Sequence, residues 1–172
     1  MKNWIAVASA EHVRKGRLIG ETKMSSISPI IKYIESFIVT GLSTRTQNCD
    51  EFNQATAKIP NLWHQFYTSD LAANANIFSV YSNYDSGVNG LYTVTVGIAS
   101  DDAQDHFSST IIQAGNYLVF QNKGSMPGIV IELWKQIWSY FETHSEYQRN
   151  FISDFEAYSG SGQVTIYIGV NN

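Results

Sequence analysis

An internal repeat constrains this chain more than any other feature. Leu62-Trp-His-Gln-Phe-Tyr67 matches Leu133-Trp-Lys-Gln-Ile-Trp138, and Tyr92-Thr-Val-Thr-Val-Gly-Ile98 matches Val164-Thr-Ile-Tyr-Ile-Gly-Val170, at offsets of 71 and 72 residues. Each copy reads strand, helix, strand, strand; the leading strands, near Val39 and near Val119, align less well. Two such copies predict an α+β fold, a tandem βαββ repeat whose antiparallel sheets pair about a pseudo-twofold axis. Its two main helices then flank a central cleft, and a cleft between packed units is a natural ligand site. At 172 residues the chain fits one domain with a substantial core.

Residues 125–141 predict the longer helix, with Ser125 as N-cap and Pro127 in the first turn. Val130, Leu133, Trp134, Ile137, Trp138 and Phe141 fall on one stripe at spacings of three and four, so this face must cover apolar surface. Residues 151–158 alternate as a strand, placing Ile152, Asp154, Glu156 and Tyr158 on one face and Phe151, Ser153, Phe155 and Ala157 on the other. Residues 37–46, 77–84, 91–98 and 164–170 also read as strands, and 110–121 as a strand broken near Ala114-Gly115 by a bulge. Asp50 is placed to cap a helix carrying Phe52, Ala55 and Ile59; Pro60 ends it and opens the next, with Leu62, Trp63, Phe66 and Tyr67 inward.

Residues 1–34 read as a leader, with 4–8 as a short strand, 11–17 as a charged turn or helix and 25–34 as the link to a main domain of residues 35–172. The opening Met1-Lys-Asn-Trp-Ile-Ala-Val-Ala-Ser-Ala-Glu-His-Val-Arg-Lys-Gly16 resembles the first strand and loop of EVE domains, over about a tenth of the chain, and no function is carried over from it. Its apolar part is shorter than the core of a secretory signal. With no apolar run long enough to span a membrane and a single cysteine, Cys49, a cytoplasmic location with no membrane partner is expected. A net charge of −4 gives no source of sequence-independent phosphate affinity, so direct nucleic-acid binding is not expected.

The chemistry points to binding. Glu156 lies among aromatic residues, and a carboxylate near apolar surface is costly to ionise unless a charge or hydrogen-bond donors compensate it. An organic cation supplies that charge, and Tyr and Trp rings add quadrupole attraction. The candidate rings are Trp63, Tyr67, Tyr81, Tyr92, Trp134, Trp138, Tyr158 and Tyr167. The same pattern also fits a plain aromatic core with Glu156 on an exposed strand face beside Asp154. Glu132 and Glu156 as an acid–base pair would suit a hydrolase. The four histidines, His12, His64, His106 and His144, lack zinc spacing, and no phosphate loop, dinucleotide fingerprint or nucleophile elbow is present, so neither metal nor cofactor is expected.

Tyr81-Ser-Asn-Tyr84, Tyr92-Thr-Val-Thr-Val-Gly97, Ile112-Gln-Ala-Gly-Asn-Tyr117, Leu133-Trp-Lys-Gln-Ile-Trp138, Asp154-Phe-Glu-Ala-Tyr158 and Ile166-Tyr-Ile-Gly169 form an ordered set that resembles the GyrI-like effector-binding superfamily, in particular its integron-cassette-associated proteins, over residues 35–170. The resemblance implies a pocket for small hydrophobic, often cationic compounds, with Glu156 as the acidic residue. It implies Trp134, Trp138 and Tyr158 as pocket walls, then Tyr81, Tyr92 and Tyr167. Such domains serve as sensors in transcription regulators, but the first 34 residues are too short for a helix-turn-helix domain, which implies a stand-alone binding module or a separate regulatory protein partner. Small-molecule hydrolysis and protein contact of the gyrase-inhibitor kind are the other activities the superfamily implies.

Overall fold

The structure, a computed structural model, describes residues 28–73, 76–101, 106–160 and 162–171. The leader elements expected over 4–8 and 11–17 lie outside the described residues. Eight strands form one antiparallel sheet: β1 (Ile30–Ile34), β2 (Phe37–Thr46), β3 (Asn76–Ser82), β4 (Tyr92–Ala99), β5 (Ser108–Ile112), β6 (Gly115–Lys123), β7 (Ser153–Ser159) and β8 (Gln163–Gly169). Their order across the sheet is β1-β6-β8-β7-β3-β4-β2-β5. Among the described residues three α-helices accompany it, the single turn α1 (Asn48–Glu51), α2 (Ile59–Tyr67) and α3 (Gly128–Thr143), with short 3-10 turns at Asp70–Ala73 and Gly87–Asn89. None of the described helices is long and apolar enough to cross a membrane.

The repeat is visible directly. One unit is β2-α2-β3-β4 and the other β6-α3-β7-β8, joined by the seven-pair ladder between β3 and β7 from Asn76↔Ser159 to Ser82↔Ser153. The middle pair is Ser79↔Glu156, so the pseudo-twofold axis passes between these two residues. Each unit is also preceded by a strand that lies on the far edge of the other: β1 leads into β2 but pairs with β6, and β5 leads into β6 but pairs with β2. The break expected as a bulge at Ala114-Gly115 is therefore the crossing between two strands on opposite parts of the sheet. Residues 30–34 likewise form a strand rather than a link, as Ile30, Ile31 and Ile34 favour.

Alternation on the strands makes two apolar faces. On one, Val94 and Val96 of β4, with Leu62 and Phe66 of α2, form one core, while Leu118, Phe120, Ile166 and Ile168 with Leu133 and Ile137 of α3 form the other. On the opposite face Val39, Val80, Ile112, Tyr117 and Phe155 are buried by the curl of the sheet into a half-barrel. Strand β5 lies across that face, where Ser82 Oγ and Thr110 Oγ1 (3.3 Å) and Tyr117 Oη and Ser153 Oγ (2.8 Å) meet. The repeated glycines have a steric reason: a Cβ on Gly97 would come within 2.2 Å of the Thr40 carbonyl oxygen, and one on Gly169 within 2.8 Å of that of Ser153.

Two helix boundaries differ from expectation. Residues 50–59 do not form one helix, because α1 ends at Glu51 and α2 starts at Ile59, with Pro60 in the first turn where its missing N–H costs nothing. Glu51, rather than Asp50, does the capping: its Oε1 accepts the Lys58 N–H (3.0 Å) and its Oε2 that of Ile59 (3.2 Å). Helix α3 begins at Gly128 with Pro127 as N-cap, and Ser125 contributes only its carbonyl, to the Ile129 N–H (3.1 Å). Its sheet-facing residues are Ile129, Leu133 and Ile137, which leaves Val130, Trp134 and Trp138 half-buried along the next stripe. Tyr67, expected inward on α2, is 54% exposed.

Candidate functional site

That second stripe of α3 faces the cleft. Over the centre of the sheet, between α2 and α3, lies a cavity of about 120 Å³ that adjoins an outer recess of about 810 Å³. Strands β3, β4 and β7 supply the floor with Tyr81, Tyr92, Glu156 and Tyr158; α3 supplies Val130, Trp134 and Trp138; α2 supplies Ile59 and Trp63. Phe52, Val88 and Arg149 border both compartments.

Glu156 is 2% exposed and its carboxylate is held by three side chains. Oε1 accepts from Trp134 Nε1 (2.6 Å) and Tyr81 Oη (2.9 Å), and Oε2 accepts from Tyr158 Oη (2.5 Å). Burial pushes the Glu156 pKa up, and the bonds from Tyr158, Trp134 and Tyr81 only partly offset that rise. Among the described residues the two ion pairs are Arg45–Asp85 and Arg149–Asp154, and neither includes Glu156. Burial, reinforced by the Glu156 charge, raises Tyr81 and Tyr158 well above the ordinary phenol range, so both remain neutral donors. Tyr92 is raised too, by burial first and then by Glu51 and Glu156.

The rings pack in two groups around the carboxylate. Tyr81 meets Trp134 edge-on at 5.4 Å, Trp63 meets Tyr158 edge-on at 5.1 Å, and Trp134 and Trp138 lie 6.2 Å apart. Phe52 closes on Trp138 at the mouth, 6.4 Å away. Seven of the nine sequence-predicted site residues thus come together: Glu156, Trp134, Trp138, Tyr158, Tyr81, Tyr92 and Trp63; Tyr67, exposed on α2, stays outside the lining. Tyr167 stays outside it too. It lies on the opposite face of the sheet, stacked on Phe155 at 4.2 Å, because its place on β8 alternates with the cavity-side Ile166 and Ile168. The bland arrangement with Glu156 on an exposed strand face is not what forms. Nor is the acid–base pair, since Glu132 is exposed on α3 away from the cavity lining.

Four polar residues in or beside the cavity, Glu51, Tyr84, Arg149 and Asp154, were not among the sequence candidates. Glu51 is 3% exposed and lines the inner cavity while capping α2. Arg149 and Asp154 form a buried pair at 2.5 Å, with Asp154 also accepting from Tyr84 Oη (2.7 Å) and the Gly169 N–H (2.9 Å). Burial pushes the Arg149 pKa down, and the attraction of Asp154 more than restores it. A usable signal was present in the repeat: Ile77-Phe-Ser-Val-Tyr-Ser82 aligns with Asp154-Phe-Glu-Ala-Tyr-Ser159, which equates Tyr81 with Tyr158. Cys49 is exposed in the outer recess. Among the described residues no three His, Cys, Asp or Glu side chains converge.

A tandem βαββ unit with an aromatic cavity at its pseudo-twofold axis is the architecture of a small-molecule effector-binding domain. The chain belongs to the integron-associated effector binding protein family, whose model matches residues 30–170. It is 33% identical over 147 residues to YobU of Bacillus subtilis (strain 168), a proposed transcriptional regulator, spanning 76% of this chain and 89% of YobU. Its fold matches an integron cassette protein from the mobile metagenome of Vibrio cholerae with a TM-score of 0.76 and 35% identity, over 83% of this chain and 95% of that one. It also matches SAV2435, solved bound to tetraphenylphosphonium, with a TM-score of 0.70 and 16% identity, over 85% and 95% of the two chains.

Proposed function

We propose that this protein captures hydrophobic organic cations, with Glu156 as the countercharge and the surrounding tryptophans and tyrosines as the apolar enclosure. One observation carries the reading. A carboxylate 2% exposed sits inside an aromatic cavity, held by three neutral donors and by no cationic side chain among the described residues. Hydrogen bonds keep the charge in place without cancelling it, so a ligand cation completes the electrostatics. A cation over the faces of Trp and Tyr gains quadrupole attraction, worth up to about 2 kcal/mol where water is excluded. SAV2435, which shares the fold, was solved with a cation of this class.

The mechanism is binding with two possible outlets, sequestration of the compound or signalling through a separate regulatory protein. Calorimetric titration with methyltriphenylphosphonium and with neutral triphenylphosphine oxide tests it. Micromolar binding of the cation is expected, with a loss of roughly a hundredfold in Glu156→Gln, the scale of removing one side of a buried charge pair. The neutral compound should change little. Equal losses for both ligands would remove the countercharge role.

A further inference from the structure

The outer recess is an apolar surface that capture at Glu156 leaves unused. The inner cavity, at about 120 Å³, is smaller than the roughly 300–1,000 Å³ of sites that enclose drug-sized ligands, whereas the recess adds about 810 Å³. The two meet along five shared residues, Asn48, Phe52, Val88, Trp138 and Arg149. Three of these are apolar, with Phe52 and Trp138 edge to face at 6.4 Å. The polar two are committed. Asn48 accepts from Tyr92 Oη and donates to the Val88 carbonyl, both at 2.9 Å, and Arg149 Nη2 donates to Asp154 Oδ2 at 2.5 Å. Beyond this border the recess continues with Phe141, Tyr147 and Phe151. Phe52 is 40% exposed and Val88 43%, so the recess presents apolar side chains to water. A concave apolar surface left open in this way and rimmed by polar residues, here Asn89, Glu142 and Gln148, is suited to an apolar occupant.

Continuity with the inner cavity decides what that occupant is. A group that reaches the recess from the cavity belongs to a molecule whose charge lies at Glu156. A second charged or strongly polar end would lose hydration against Phe52, Val88 and Trp138 and gain no partner there. A hydrocarbon or aryl group gains from the same contacts. We propose that the outer recess is a tail subsite, and that the ligands this protein takes are amphiphilic cations: a compact head such as a quaternary ammonium at Glu156, and an apolar tail running past Phe52 and Trp138 into the recess. This rests on the cation-binding reading and narrows it from hydrophobic cations in general to elongated ones.

Cys49 allows the test to be made in the protein as it stands. It is the single cysteine of the chain, it is exposed, and it lines the recess but not the inner cavity. Butyl-, hexyl-, octyl- and decyltrimethylammonium, kept below their micelle-forming concentrations, are titrated calorimetrically into the full chain before and after Cys49 is alkylated with N-phenylmaleimide. Affinity should rise by about threefold for each added methylene until the recess is filled, and then level off. After alkylation the butyl compound should bind as before and the gain with length should be lost. Should alkylation disturb the head site as well, the unmodified protein decides: saturating decyltrimethylammonium should slow the reaction of Cys49 severalfold, and the saturating butyl compound should leave its rate unchanged. Equal affinity or no binding along the series, in a protein that binds methyltriphenylphosphonium, overturns the tail subsite and leaves cation capture standing. So does a gain with length that survives alkylation, or a Cys49 reaction rate indifferent to the tail. Failure of every cation to bind overturns both.

Discussion

The two halves share one frame and differ at its centre. Tyr81 and Tyr158 are equivalent by the repeat and approach Glu156 from either side of the axis. Trp63 and Trp134 are likewise equivalent, yet only Trp134 donates to the carboxylate, while Trp63 packs on Tyr158. Opposite Glu156 the first half has Ser79, and where the second half has Asp154 the first has Ile77. At the position where α2 carries the exposed Tyr67, α3 carries Trp138, which lines the cavity. Symmetry thus supplies the aromatic frame, and the departures from it supply all the charge. A site on the axis can hold one carboxylate without placing a second beside it, which like-charge repulsion would forbid.

The largest way to break this comparison is through Asp154. Asp154→Ala removes the partner of a nearly buried guanidinium and should cost about 3–5 kcal/mol in urea unfolding. Its counterpart Ile77→Ala should cost less, because Ile77 is only half-buried. Next come the paired tryptophans. Trp134→Phe removes a hydrogen bond to the ionised Glu156, so its carboxyl pKa should rise further and cation affinity fall by roughly tenfold. Trp63→Phe should leave the pH midpoint of binding where it was.

The sign of the pH effect follows from the raised Glu156 value. The ligand-free fold keeps this contribution to stability below the ordinary carboxylate range and loses it as pH rises through the raised value. Cation affinity should run the other way, increasing over that window as the countercharge forms, and saturating cation should flatten the loss of stability. Unfolding midpoints measured with and without methyltriphenylphosphonium across pH check both, and in Glu156→Gln the slope should vanish. The smallest effect belongs to Tyr167→Phe. On the far face of the sheet it should leave cation affinity within about 0.5 kcal/mol of wild type by calorimetry.

Much of this was legible in the sequence, because it depends on local period. The strand and helix periods placed Leu62 and Trp63, Leu133 and Trp134, and the alternating faces of residues 153–159, and a repeat with matched periods left little choice but a pseudo-twofold sheet. Glu156 among aromatics was visible for the same reason. What the sequence did not reveal depends on which residues meet across the chain. The exchange of β1 and β5 between halves follows from sheet closure, which no local pattern encodes. Tyr167 fell on the wrong face because a strand buried on both sides has aromatic residues in both directions, and alternation alone does not say which face holds the cleft. Glu51 and Arg149 were missed because their roles are set by partners distant in space or in fold context: the N-terminus of α2 for one, Asp154 and an aromatic ring beside a cavity for the other. The sequence by itself determined the repeated frame and its aromatic lining, through periodicities the backbone enforces; the tertiary structure alone decided which charges are buried together, since burial and electrostatic pairing exist only once distant segments have packed.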